Sequence, residues 1–336
     1  MTLDLLKRKH KSELSENELY NLTMHRKKKR AAVAKVIVKI FRTILVIGIC
    51  YYVLYPLIAK IFSSFMAQED LYDTTVGLIP KTWTLENYAI VFETMDYFKS
   101  FINTVLITGL VTVLQLVACT LVGYGFARYK FPLKKLLFAI VIAVLIIPPT
   151  TIIIPMYLNF RFFDVLGIFG LFTGGAGLNL SNSVWSMVVM SITCMGFKNG
   201  LYIYMVRQFY RGVPKELEEA ALIDGAGHFK TFISVMLPSA KPILTVVAMF
   251  SIVWQWTDVF YNQWFLPNMD LLSNKLMSLN GEVALKVAGL AASLDTGYTN
   301  IIISTGTILV ILPIVIFYII GQKQFVEGIE RSGIVG

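Results

Sequence analysis

Residues 102–125 read INTVLITGLVTVLQLVACTLVGYG, with no charged side chain in 24 positions. At about 1.5 Å per helical residue such a run covers about 30 Å of hydrocarbon, and an uninterrupted apolar block of this length predicts a membrane-spanning helix. Comparable blocks flank it, and we read six spans at roughly 41–63, 102–125, 136–158, 183–206, 242–264 and 299–321. The composition agrees. The 336 residues are 56% hydrophobic and only 15% charged, where a soluble domain carries about 25% charge. The expected fold class is therefore all-α and integral to the membrane.

The formal charge of +9 could point to nucleic acid, but its placement argues against that partner. Twelve of the 30 Lys and Arg residues lie between Lys7 and Arg42, at or before the first block. With the N-terminus cytoplasmic, the inside segments 1–42, 126–135, 207–241 and 322–336 hold 23 of the 30. That bias is the positive-inside pattern, so both termini are expected inside. We divide the chain into a polar, basic N-terminal segment (1–40), a six-span domain (41–321) and a cytoplasmic tail (322–336). The N-terminus is too long and too charged for a secretory signal, so the first span is expected to be retained. Its first 30 residues are read as flexible or as a surface helix. Cys50, Cys119 and Cys194 sit inside apolar blocks without metal-ligand spacing and read as small packing residues. Pro148, Pro149 and Pro155 in the third span, and Pro313 in the sixth, should kink or break their helices.

The loop 211–242, RGVPKELEEAALIDGAGHFKTFISVMLPSAKP, carries the functional signal. Pro214 suits a first helical turn, and Glu216, Glu218 and Glu219 sit where the helix dipole favours negative charge. Leu217, Ala220 and Ala221 recur at helical spacing, and Asp224-Gly225 reads as a stop. A second helix is expected to line up Phe229, Phe232, Ile233 and Met236 and to end at Leu237-Pro238. An apolar stripe in a cytoplasmic loop needs a protein partner or the underside of its own bundle.

Glu219-Ala220-Ala221, Gly225, and the later Val235-Met236-Leu237-Pro238 resemble the EAA loop of ABC importer permeases, with Val235 where the family usually has Ile. Asn103-Thr104, Gly123–Arg128, Ile147-Pro148-Pro149, Arg207-Gln208-Phe209, Trp256-Thr257-Asp258 and the Gly-rich tail Ser332–Gly336 extend the likeness to the carbohydrate-uptake, maltose-type second permease. The first 35 or so residues carry no such likeness. The resemblance implies a type I ABC importer permease fold in a bacterial cytoplasmic membrane. It also implies a coupling helix, with Glu219, Ala220, Ala221, Asp224, Gly225, Leu237 and Pro238 at the ATPase contact. The expected partners are two ATP-binding cassette subunits, a second related permease and an external substrate-binding protein. The tail would reach toward the ATPase, and the outer loop 265–298 would reach the binding protein or act as a passive linker.

No Gly-Lys dipeptide occurs, so no phosphate-cradling loop of the Gly-Lys-Ser/Thr kind is present. ATP-Mg is expected on the partner ATPase, with no cofactor or metal on this chain and no catalysis by it. Trp254, Gln255, Trp256, Asp258, Tyr261, Asn262 and Trp264 are candidate substrate contacts, because aromatic faces stack on sugars while amides bond hydroxyls. The same residues also fit an interfacial aromatic belt. Lys198 reads either as a pathway charge or as a snorkelling lysine near the cytoplasmic end of span four. An ion-coupled secondary transporter fits poorly, since His10, His25 and His228 all lie in inside segments. A membrane enzyme lacks a metal-binding His pair or a nucleophile elbow. A permease for a non-sugar solute remains the alternative.

Overall fold

The computed structural model describes residues 16–175, 177–196, 198–288 and 296–333. Among these every regular element is helical, apart from the isolated bridges Met66–Trp83 and Phe163–Leu178. The chain divides into two compact units between Lys60 and Ile61. The first described element, α1 (Glu16–Ser64), is one continuous 49-residue helix. The expected flexible or surface segment is thus helical from Glu16 onward, while residues 1–15 lie outside the described residues. Residues 20, 24, 25 and 27–55 of α1 are exposed.

In the second unit α2 (Glu86–Thr94) and α3 (Tyr97–Arg128) lead into the bundle. α3 and the last helix, here α15 (Thr296–Gly333), contain the two segments long and apolar enough to cross a membrane alone, Tyr97–Arg128 and Gly297–Glu327. Of the other expected spans, the first lies within the continuous α1, and the third, fourth and fifth are interrupted. α4 (Lys134–Ile146) and α5 (Pro149–Arg161) meet at 108°, so 136–158 is not one straight crossing. The cause is local. A residue before proline is driven from helical to extended backbone, and Ile147 (φ −70°, ψ 122°) and Pro148 (φ −63°, ψ 137°) both obey.

α6 (Ile168–Thr173) caps the outer connection. Span four is split into α7 (Val184–Ile192) and α8 (Asn199–Gly212), with Cys194 and Lys198 in left-handed conformation between them. Span five is α12 (Lys241–Trp256) followed by the short α13 (Phe260–Phe265). The outer loop 265–298 contains a docked helix, α14 (Leu272–Ala288), whose Leu272, Leu279 and Val283 are buried beneath it. It is no simple linker over that range; residues 289–295 lie outside the described residues.

α3 runs along α8 and α12, and α12 along α15. Lipid tails are as apolar as Leu, so spans associate by close approach and internal hydrogen bonds. Gly123 illustrates the first: a Cβ there would sit 2.8 Å from Val206 Cγ1 and 3.2 Å from the Arg207 nitrogen. A row of Thr104, Thr108, Thr112 and Gln115 illustrates the second, buried along one face of α3. Gln115 Oε1 accepts from Ser251 Oγ of α12 at 2.6 Å. Cys119 is buried and its sulfur lies 4.0 Å from that of Cys194, both as free thiols.

Pro313 lies inside α15. Proline has no N–H for the carbonyl four residues back and its ring crowds that turn, which frees Leu309 O and loosens Val310 O. Both are answered from elsewhere: Tyr97 Oη donates to Leu309 O at 3.0 Å, and Trp256 Nε1 donates to Val310 O at 3.0 Å.

Candidate functional site

After α8 the chain turns through Val213 and enters α9 (Glu216–Ile223). Three acidic residues in its first turn complement the exposed N–H groups. Its end is a Schellman motif: Ala226 N donates to Ala221 O at 3.0 Å and Gly225 N to Leu222 O at 3.1 Å. The motif needs a left-handed residue, and Gly225 supplies φ +81°. Asp224 and Gly225 therefore stop the helix as expected from sequence.

The second half differs from expectation. α10 (His228–Thr231) passes into a π-helical turn, Phe232–Met236, then α11 (Leu237–Ser239), which turns by 73° into α12. Leu237-Pro238 thus does not end the helix. The π turn widens the repeat, so the expected stripe divides: Phe232 and Met236 are buried, while Phe229 and Ile233 face out. The first stripe divides too, with Ala221 buried and Leu217 and Ala220 exposed. Glu219, Asp224 and Pro238 are exposed and Leu237 is half-buried.

The outward face of the loop is apolar. Leu217, Leu222, Ile223, Phe229 and Ile233 are all exposed, Ile223 by 85% and Phe229 by 77%. The inward face is anchored. Arg128, the last residue of α3, places Nε 3.0 Å from Glu218 Oε1, and their side chains are only 6% and 17% exposed. This is a charge contact without hydrogen-bond alignment, and the guanidinium also donates through Nη2 to Val213 O at 2.7 Å. Tyr210 Oη donates to Met236 O at 3.3 Å, and the Tyr124 ring lies 5.2 Å from Tyr210 and 4.8 Å from Phe232. A rigid base from α3 and α8 thus carries an unpartnered apolar surface.

The candidates of span five do not converge on one place. Gln255, Asp258 and Tyr261 line a cavity of about 10 Å³ with Gln115 and Ser191, room for no more than one water. Asp258 Oδ1 accepts from Tyr261 N at 3.1 Å, capping α13, and Asn262 Nδ2 donates to Ser273 Oγ at 3.1 Å. Trp256 is buried against α15 as described and does not line this cavity. Trp254 stacks with Tyr202 at 6.0 Å and holds Lys198 Nζ 5.1 Å from its ring centroid. Trp264 meets the Tyr157 ring at 5.7 Å. Lys198 stands at the start of the 14-residue α8, about 21 Å from its C-terminal end, and α8 continues to Gly212 beyond the expected span end. The polar row on α3 escaped the sequence reading; its signal is Thr or Gln every three or four residues in an otherwise apolar run.

Between α13 and α14, Asp270 Oδ2 lies 2.7 Å from Lys99 Nζ and Oδ1 lies 3.4 Å from Lys275 Nζ. The bond to Lys99, then that to Lys275, holds the Asp270 carboxyl below its usual range. Among the described residues no cluster of His, Cys, Asp and Glu suited to a metal ion occurs.

Apolar helices, several of them interrupted, around a buried polar seam, with an exposed apolar loop between α8 and α12, fit a membrane permease component. Residues 119–331 match the family described as the binding-protein-dependent transport system inner membrane component, and the chain belongs to that family. It is a multi-pass protein of the cytoplasmic membrane and a transport subunit, not an enzyme. It is 30% identical over 292 residues to the arabinooligosaccharides transport system permease protein AraQ of Halalkalibacterium halodurans, covering 86% of this chain and 93% of that one. It is 26% identical to the melibiose/raffinose/stachyose import permease protein MelC of Bacillus subtilis, covering 84% and 91%. Its fold matches a crystal structure of a bacterial ABC transporter involved in the import of the acidic polysaccharide alginate, with a TM-score of 0.66 at 20% identity over 86% of this chain and 96% of that one.

Proposed function

We propose that this chain forms half of the translocation pathway of an ATP-driven, binding-protein-dependent importer for an oligosaccharide. Six crossings with both termini cytoplasmic would put the loop 211–242 on the inner face, between the N-terminal segment 1–40 and the tail 322–336. The observation that carries the reading is the exposed apolar surface of Leu217, Leu222, Ile223, Phe229 and Ile233 on an anchored base. Water does not favour such a surface and bilayer does not reach it there, so a protein cleft covers it. A separate ATP-binding subunit supplies that cleft. Glu219, Ala220, Ala221, Asp224, Gly225, Leu237 and Pro238 belong to this contact, the first five around α9 and the last two at the hinge into α12.

ATP-Mg bound by a pair of such subunits draws them together, and the loop moves as a rigid body because Arg128 and Tyr210 tie it to α3 and α8. ATP shifts the equilibrium only by its differential affinity for the two states. The buried amides and hydroxyls of Gln115, Ser251, Gln255 and Asn262 become the seam facing a second permease subunit when the bundle opens. The substrates named for AraQ and MelC, uncharged oligosaccharides, suit amide and hydroxyl partners. An external binding protein delivers the solute. The test is uptake and ATPase activity of the reconstituted transporter with Ile223→Glu or Phe229→Asp. Loss of binding-protein-stimulated ATPase with normal membrane insertion is expected; full stimulation would reject the docking role.

A further inference from the structure

We propose that the groove between α13 and α14 is an entry subsite for an uncharged oligosaccharide, which rests on the importer reading above and names where the solute first touches this chain. The groove measures about 680 Å³, within the range of about 300–1,000 Å³ typical of small-molecule sites. Gln263, Asn268, Asn274 and Ser278 line it with amides and a hydroxyl, beside the apolar side chains of Met269 and Met277. Its charges cancel. Lys275 Nζ lies 3.4 Å from Asp270 Oδ1 and 3.6 Å from Glu282 Oε2, and Lys99 takes the other Asp270 oxygen. A balanced site exerts no net pull on an anion or a cation, while its many donors and acceptors suit a chain of hydroxyls.

The groove is held in shape from α3. Asn103 Nδ2 donates to Asp270 O at 3.0 Å and Leu272 N donates to Thr104 Oγ1 at 2.9 Å, which fixes the turn into α14. A preformed site loses little freedom on binding. Hydrogen bonds also join it to the buried cavity described above. Asn262 Nδ2 donates to Ser273 Oγ at 3.1 Å and Gln255 Nε2 to Asn262 Oδ1 at 3.4 Å, and Gln255 lines that cavity. Two buried acceptors along this row have no partner among the described residues: Oδ1 of Asn274, a groove residue, and Oδ2 of Asp258, a cavity residue. A buried acceptor without a donor is unfavourable, and a sugar hydroxyl admitted along the row would supply one. A face made only to dock a protein needs neither orphaned acceptors nor a polar row leading inward. That row is what assigns the groove to the solute.

The test places the full transporter, both permeases with their ATPases, in nanodiscs without the binding protein. Raffinose and arabinotriose at millimolar concentration are then observed by saturation-transfer NMR. Saturation of the sugar that the transporter takes up is expected. Ser278→Trp, which fills the groove from an exposed position, should abolish it. Asn268→Ala, also exposed, should weaken binding about fivefold, the effect of one hydrogen bond. Trigalacturonate, an anionic saccharide, should show far less saturation. Equal saturation of trigalacturonate overturns the subsite, as does a signal that Ser278→Trp and Asn268→Ala both leave intact. No saturation by a sugar that the wild-type transporter takes up overturns it as well. Loss of binding-protein-stimulated ATPase in Asn268→Ala, with the sugar signal intact, makes the groove a docking face for that protein and overturns the subsite too. A wild-type transporter that takes up no neutral oligosaccharide refutes the importer reading itself, a failure seen in uptake and separate from the NMR result.

Discussion

Replacing Arg128 with methionine leaves Glu218 in its mostly buried setting without a counter-charge and strips Val213 O of its donor. At 3.0 Å and an effective dielectric of about 20, the attraction is about 5–6 kcal/mol before desolvation is subtracted. Removing one member of a buried pair typically costs about 3–5 kcal/mol, while removing both together is far milder. Amide hydrogen exchange over residues 213–226 reads local opening directly, and a loss of about 3 kcal/mol lowers protection there by about a hundredfold. The double variant R128M/E218M should regain most of that protection, giving a coupling energy of about 2–3 kcal/mol. The lost Val213 bond appears in both Arg128 variants and cancels from the cycle. The same variants should show ATPase activity uncoupled from uptake in R128M and partly recoupled in the double. Additive single-site effects, with coupling below about 0.5 kcal/mol, would refute the view that this pair anchors the loop.

Gly225→Ala should destabilise the loop by about 1 kcal/mol, since φ +81° disfavours a side chain, and Gly225→Asn by less; thermal melting and exchange of residues 219–226 check this. Trp256→Phe should lower stability by about 1–3 kcal/mol by orphaning Val310 O, with substrate affinity of the transporter unchanged; a raised uptake KM would return Trp256 to the pathway. Gly123→Ala should cost about 1–3 kcal/mol, because a stiff Val206 and the Arg207 backbone leave no room; unaltered melting would contradict the close approach. Asp270 has a folded-state pKa below its unfolded value of about 3.9, so its ion pairs stabilise the outer loop above that pH and the contribution fades as pH falls through the lower folded value. Exchange of residues 266–275 should therefore accelerate on acidification below about pH 4, and Asp270→Asn should remove the acid step.

The legible part of this protein was whatever depends on neighbours in sequence. The stop at Asp224-Gly225 follows from glycine's tolerance of positive φ, and the break at Ile147-Pro148-Pro149 from the missing N–H groups. The family-like loop was likewise visible as a string. What stayed hidden depends on partners far along the chain or on a change of helical repeat. The π turn at Phe232–Met236 cannot be read from a pattern that assumes about 3.6 residues per turn, so one stripe was drawn where two faces exist. The bond from Trp256 to Val310 O stayed hidden because that carbonyl lies 54 residues away. The interruption of span four at Cys194 and Lys198 has no proline to announce it.

Pro313 within the last helix bears on the order of assembly. Its two acceptors wait for donors 212 and 54 positions earlier, in segments that leave the ribosome well before α15 is complete. The final helix therefore acquires its shape only on docking into a bundle whose indole and phenol are already in position, which makes its insertion the closing step of maturation. Anything that delays Tyr97 or Trp256 would strand a nearly finished chain with bare carbonyls in lipid, a species fit for quality-control proteolysis.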